Sequence, residues 1–375
     1  MKTWLVARRG VLVAAAASLA LAACGQGAGK GEEKAEAKSG PAPSVAADGD
    51  YTIGWTIYAG WMPWPYAQQA GIVKKWADKY GIKINVVQIN DYVESLNQFT
   101  AGKLDGVTST NMDALTIPAA AGKDTTALIV GDYSNGNDGV VLKNGKTLAE
   151  LKGRPVNLVE LSVSHYLLAR GLEKAGLKMS DIKTVNTSDA DIVAAFGAAD
   201  TQAVATWNPQ LSEIKKQPGA TEVFDSSQIP NEILDLLIVH TDLVKADPKL
   251  AKALTGIWYE TMALMTADTP EGKAAREAMA KLSGTDLPGF EAQLKTTFLY
   301  SQPQAAAAFT ASPALPEAME RVRQFSFANG LFGQGAKSVD DIGIAYPGGL
   351  AQGSATNVKL RFDPTYAQMA AKGQL

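Results

Sequence analysis

The chain has 375 residues, of which 46% are hydrophobic and 19% charged, with a formal net charge of −3. That is enough apolar material for a globular body of two lobes, and the lack of a basic excess argues against a nucleic-acid partner. One cysteine and two histidines leave no disulfide framework or thiolate metal site, and His165 and His240 stand far apart with no metal-ligand spacing around either.

The chain opens with Lys2, Arg8 and Arg9, an apolar run over 11–19, and then Leu21-Ala22-Ala23-Cys24. The apolar run falls well short of the ~20 residues that span a bilayer, so 1–23 reads as a lipoprotein signal peptide ending in a lipobox, with Cys24 as the lipid attachment. Residues 24–50 are rich in Gly, Ala, Lys, Glu, Ser and Pro without apolar periodicity, the composition of a flexible tether. The expectation is a domain in the cell envelope, held at the periplasmic side of the membrane by a lipid anchor.

The body alternates short strand patterns with helical ones. A strand is expected over 52–57, a helix over 65–80 stopping at Gly81, and a strand over 83–88. There follow a helix from Tyr92 to Gly102, a strand over 106–109, a helix over 111–121 closed by Gly122, and a strand over 126–131. After Asn144-Gly145 a second series begins, with strands at 155–158, 183–185 and 203–206 and helices at 164–175 and 190–196. A strand over 236–240 returns the chain, and the remainder from Pro248 reads as mainly helical. Repeated βα units imply largely parallel sheets with right-handed crossovers. The fold class is therefore α/β, with two parallel-mixed sheets flanked by helices and a ligand cleft between two lobes. Lobe 1 is expected over 51–143 and 241–375, and lobe 2 over 144–240, with crossings near 141–144 and 238–241.

Four segments carry a resemblance to a known family: Ile53-Gly54-Trp55 through Tyr66-Ala67-Gln68, Phe99-Thr100-Ala101-Gly102-Lys103-Leu104-Asp105-Gly106, Leu148-Ala149-Glu150-Leu151-Lys152-Gly153-Arg154, and Ala205-Thr206-Trp207-Asn208-Pro209. In this order they resemble the periplasmic solute-binding proteins of ABC importers in the nitrate, sulfonate and thiamine-precursor group. Trp61-Met62-Pro63-Trp64 and Asn111-Met112-Asp113 resemble the branch encoded beside urea carboxylase, for which guanidine or a related guanidino compound is the inferred ligand. The resemblance implies a type II periplasmic-binding-protein fold, a monomer, an ABC permease and ATPase as partners, and no cofactor. The chain departs from the family's Trp-Glu-Pro segment at Asn208, so only the ring of Trp207 carries over.

Ligands of open α/β sheets lie beyond the carboxyl ends of the strands. The windows there run over 58–64, 91–92, 110–113, 132–138, 160–164, 189–191 and 207–208, and they hold carboxylates and aromatics but no Lys or Arg. A guanidinium ion is planar, permanently charged and donor-only, and it matches carboxylates in its plane with aromatic faces above and below. The expected carboxylates are Asp113 and Glu160, with Asp138 or Asp191, and the expected walls are Trp61, Trp64 and Trp207, with Ser162 beside them. Each has a structural alternative: the two Trp residues between prolines as a packed lid, Asp113 as a first-turn acid favoured by the helix dipole, Ser162 and Asp191 as helix caps, and Asp138 as a turn residue.

Three functions follow from different classes. The first is an import receptor for a small nitrogenous cation, with urea, a sulfonate, nitrate or a thiamine pyrimidine precursor as alternative solutes. The second is a sensory or adhesive lipoprotein. The third is a pyrimidine-synthase use of the same fold, which relies on reactive His and Cys residues that this chain does not supply; no catalytic motif appears, and the chain is read as a non-enzyme.

Overall fold

The computed structural model describes residues 49–375. The expected signal peptide, its lipid attachment at Cys24 and all but the end of the expected tether lie outside the described residues. Among the described residues no helix is long and apolar enough to cross a membrane.

The strands, in chain order, are β1 (Asp50–Trp55), β2 (Lys83–Gln88), β3 (Gly106–Thr110), β4 (Thr125–Ser134), β5 (Asp138–Lys143), β6 (Pro155–Leu158), β7 (Lys183–Asn186), β8 (Ala203–Trp207), β9 (Ala220–Asp225), β10 (Leu234–His240), β11 (Thr297–Leu299), β12 (Gly343–Ala345), β13 (Ala351–Gln352) and β14 (Val358–Phe362). They form two mixed sheets flanked by helices. The first is ordered β13-β12-β14-β4-β10-β3-β1-β2 with β11 added on β4, and the second is ordered β7-β6-β8-β5-β9. This is the two-lobed α/β architecture expected from the sequence.

The chain changes sheets earlier than the turn signals imply. β5 belongs to the second sheet and β10 to the first, so the crossings lie at 135–137 and 226–233, not at 141–144 and 238–241. Asn144-Gly145 does bend the chain, with Asn144 at φ 55, but this bend leads out of β5 toward β6 within the second lobe. The actual crossing uses Gly136, at φ 105, where a side chain is disfavoured and glycine is free.

Other differences are local. The expected helix over 65–80 is two helices, Pro63–Gln69 and Ile72–Tyr80, separated at Gly71, whose φ of 77 interrupts the helical path. The expected helix over 111–121 is one α-turn, Asn111–Ala114, followed by a π-helical segment with Pro118 inside it; proline removes a ladder donor and widens the turn. The C-terminal region is not wholly helical: β11 to β14 are two to five residues long, too short to show periodicity, and β14 extends the first sheet in parallel with β4.

Two elements place the site. β10 is buried along its whole length as a central antiparallel strand between β3 and β4, and its run of Leu, Ile and Val suits burial on both faces. Asp235 is the exception within it. The helix Val163–Lys174 begins at Ser162, whose hydroxyl accepts the Ser164 N–H at 3.2 Å, and its first turn points back at the first lobe.

Candidate functional site

Strand register assembles the site. Asp235, near the start of β10, sits opposite Thr110 at the end of β3 and opposite Asp132 near the end of β4. In the second sheet Asp138, the first residue of β5, sits opposite Trp207, the last residue of β8. The antiparallel members thus bring strand beginnings to the edge where parallel members bring strand ends.

Between these edges lies a cavity of about 20 Å³ lined by Tyr58, Trp61, Tyr92, Thr110, Asn137, Asp138, Val163, Trp207, Ile233 and Asp235, room for about one water. Its walls are aromatic. Trp61 stacks on Tyr92 at 5.8 Å between ring centres, Tyr58 meets Trp61 edge-on at 5.1 Å, and Tyr92 meets Trp207 edge-on at 5.9 Å. The lining holds no lysine, arginine or histidine.

The carboxylates are buried without cations. Asp138 accepts the Ser134 hydroxyl at 2.5 Å, and burial pushes its pKa up to about 6. Asp132 accepts the Tyr58 hydroxyl at 2.8 Å. Asp235 faces Asp132 within hydrogen-bonding range; burial, and then the Asp132 charge, push Asp235 well above the usual carboxylate range, so the pair shares a proton held on Asp235. Asn137 is 2% exposed and its side-chain oxygen has no partner. An ionised carboxylate in such surroundings is costly unless a cation arrives. Among the described residues no group of three or more His, Cys, Asp and Glu is placed to hold a metal.

The side chains expected as site residues separate. Trp61, Asp138 and Trp207 line the central cavity. Asp113 stands just behind its wall, fully buried, accepting the Tyr92 and Thr110 hydroxyls at 2.8 Å each; burial raises its pKa to about 6, and these bonds and the nearby Val163 amide offset part of the rise. Glu160 and Ser162 line a different cavity, with Asp113 at its inner end. Ser162 is also the helix cap that its alternative reading described. Two expectations are corrected. Trp64 is 1% exposed and packs on Trp258 of the helix Pro248–Thr266 at 5.5 Å, because the turn of Ala59–Trp61 points it into the first lobe instead of the cleft. Asp191 is exposed at the start of the helix Ile192–Gly197, accepting the Ser188 hydroxyl at 2.8 Å, and lines neither cavity.

Sequence reasoning missed Asp235 altogether. The rule of strand carboxyl ends passes over β10 because β10 runs antiparallel, yet a lone acid inside the apolar run 233–239 was a readable signal, since acids are almost never fully buried without a partner. Tyr58, Tyr92, Thr110, Asp132 and Asn137 fell inside the windows but were not chosen; only the fold separates cavity-facing positions from the rest.

Gly60 records how tightly the site is built. A methyl at its Cα would stand 2.5 Å from an Asp132 carboxylate oxygen and 2.6 Å from the Tyr58 ring. Gly60→Ala is therefore expected to displace Tyr58 from Asp132, weakening ligand binding more than tenfold in a calorimetric titration while the far-ultraviolet spectrum is retained.

The NMT1/THI5 like family model matches residues 66–271, more than half of the chain. A Brucella abortus (strain 2308) protein named only as a binding protein is 27% identical over 186 residues, 48% of this chain and 56% of that protein. The taurine-binding periplasmic protein of Escherichia coli (strain K12) is 26% identical over 129 residues, 34% of this chain and 40% of that protein. The chain thus spans about half the length, or less, of these curated relatives. Among solved structures, the alkanesulfonate-binding protein of Xanthomonas axonopodis pv. citri bound to MOPS superposes with a TM-score of 0.63 at 21% identity, covering 77% of this chain and 96% of that one. That likeness concerns the fold, which is the type II periplasmic-binding-protein architecture.

Proposed function

This chain belongs to the NMT1/THI5-like family, and from that premise we propose that it is the extracytoplasmic substrate-binding protein of an ABC importer, capturing a small guanidino cation and delivering it to a permease and its ATPase. It acts as a monomer tethered by lipid at Cys24. One observation carries the choice of cation: Asp138, Asp235 and the unpaired oxygen of Asn137 converge on an aromatic cavity whose lining has no Lys, Arg or His. The cavity in its closed form holds about one water, so a guanidinium group would enter as the lobes part, pair with the Asp138 carboxylate in its plane and lie against Trp61, Tyr92 or Trp207, each enclosed ring contact contributing about 2 kcal/mol.

A sulfonate, the class bound by the Xanthomonas neighbour's namesake ligands, meets the opposite field. The helix start that would suit an anion, at Val163, is already faced by the Asp113 carboxylate. The unpaired indole N–H of Trp61 favours a guanidino ligand that also carries one acceptor, such as an acylguanidine.

Calorimetric titration of the purified protein with guanidinium, guanylurea, urea and taurine tests the reading. Four heavy atoms at about 1.5 kcal/mol each place guanidinium in the tens of micromolar. Urea, which leaves the carboxylates without a counter-charge, is expected to bind at least about a hundredfold more weakly. Saturable binding of taurine alone would reject the cation reading and leave the receptor class standing.

Affinity should also depend on pH. Burial raises Asp138 from 3.8 to about 6 in the empty protein, so between those values the folded state holds a proton that the unfolded chain has lost, and empty-state stability falls as pH rises through this window. A bound cation requires the ionised form. Affinity for guanidinium is therefore expected to rise with pH, being about tenfold weaker at pH 5 than at pH 8 from Asp138 alone, with proton release detectable as a buffer-dependent binding enthalpy.

A further inference from the structure

One residue of the second crossing, Glu232, is fastened to both lobes. Its main chain is held by the first lobe. The buried Asn111, just after β3, donates from Nδ2 to the Glu232 carbonyl at 3.1 Å and accepts the Leu234 N–H at 3.0 Å, so this stretch moves with β10. Its side chain is held by the second lobe. The Glu232 carboxylate accepts the Tyr166 hydroxyl and a forked contact from Arg170, with Nε at 2.8 Å on one oxygen and Nη2 at 3.1 Å on the other. A forked guanidinium–carboxylate pair is both strong and directional, and with Glu232 7% exposed salt screens it less than a surface pair.

Tyr166 and Arg170 stand three and seven residues after Val163, on one face of the helix Val163–Lys174. Val163 lines the central cavity, so one helix face carries a cavity wall at its start and the grip on the crossing two turns later. The helix Ala314–Ala328 of the first lobe stands opposite. From it Phe325 meets Tyr166 edge-on at 5.2 Å and His165 at 5.8 Å, and the Arg321 guanidinium comes to 4.0 Å from Glu232. A groove of about 400 Å³ remains between the two helices, with Ala169 and Glu173 on one side and Arg321 on the other. The helices are therefore not packed along their length, and a few side chains make this contact between the lobes. The lobes also meet where Tyr92 faces Trp207, but those rings border the central cavity and must yield when a solute enters. Glu232, Arg321 and Phe325 lie outside the cavity lining and do not depend on what fills it.

We propose that Glu232 is the latch of the cleft: gripped by Arg170 and Tyr166, reached by Arg321 and flanked by Phe325, it holds the lobes closed in the empty protein and sets how often they part. This rests on the receptor reading only in that the lobes part to admit a solute; the charge of the solute does not enter. The Glu232 main chain moves with one lobe and its carboxylate is bound to the other, so parting the lobes breaks the fork together with the Phe325 contacts.

The test measures the distance between the lobes with nothing bound. Spin labels at the exposed positions Lys103→Cys in the first lobe and Lys183→Cys in the second, in the full chain carrying Cys24→Ser, report that distance by pulsed electron resonance. This parent is expected to show mainly the short distance. Glu232→Gln keeps an acceptor for Tyr166 and leaves Arg170 its Glu173 partner, and it is expected to raise the long-distance population at least threefold. Phe325→Ala, at a half-buried position, shifts the population the same way. Arg321→Gln, at an exposed position, gives a smaller shift that vanishes when Glu232→Gln is already present. Arg361→Gln, whose partner Asp124 lies in the same lobe, leaves the distances unchanged. Parent-like distances in a folded Glu232→Gln, an additive effect of Arg321→Gln, or a parent already mainly at the long distance would overturn the latch. If Glu232→Gln does not fold, as read by circular dichroism, Arg321→Gln and Phe325→Ala decide by the same criterion. No ligand is added, so failure of guanidinium to bind in calorimetry rejects the cation reading and leaves this result standing.

Discussion

Asp138→Asn is expected to weaken guanidinium binding by two to three orders of magnitude while leaving the empty protein as stable as before, or more so. Removing one partner of an enclosed charge pair costs about 2–5 kcal/mol because the other charge is left buried and unpaired. In the empty protein the balance reverses. Asp138 is 3% exposed and has only the Ser134 hydroxyl and the neighbouring Asn137 amide against its charge, so its ionised form is held against a desolvation penalty. Asparagine is close in shape, keeps an acceptor for Ser134 and carries no charge. The two effects are read separately, affinity by calorimetry and stability by urea unfolding monitored at neutral pH. Loss of binding together with a stability loss of several kcal/mol would mean that Asp138 is a structural acid, and unchanged binding would remove it from the site.

Trp64→Ala is expected to do the reverse. Its indole is fully buried between the helices Pro63–Gln69 and Pro248–Thr266, against Trp258, and large aromatic-to-alanine changes in cores cost about 3–5 kcal/mol. Guanidinium affinity should stay within about threefold, measured where the variant is still folded. Trp207→Ala makes the contrast, since this ring borders the central cavity: its loss removes a face of about 2 kcal/mol, or about thirtyfold in affinity. A Trp64→Ala variant that kept its stability but lost guanidinium would return Trp64 to the cleft wall.

The two tryptophans show where sequence reading reaches its limit. Trp61 and Trp64 are three residues apart in one proline-flanked loop, equally aromatic and equally placed after the first strand. One borders the cavity and the other is core. The difference is set by how Ala59–Trp61 packs over Tyr58 and by the presence of Trp258, far along the chain, against Trp64. No local pattern encodes that partner.

The sequence by itself determined the alternation of strands and helices, hence the α/β class and the two lobes, because hydrophobic period and glycine stops are local properties. It also determined the chemistry available at the strand ends, carboxylates and aromatics without cations, since composition in those windows does not depend on packing. Only the tertiary structure decided which of those groups meet. The antiparallel placement of β10 carries Asp235 to the cleft, the early sheet crossing at 135–137 sets Asp138 opposite Trp207, and the approach of the helix Val163–Lys174 to Asp113 parts the acidic residues into two cavities. These are contacts between residues far apart in the chain, fixed by register and by which face each element buries, and burial, through desolvation, is what raises the pKa of Asp113, Asp138 and Asp235 above the ordinary aspartate range.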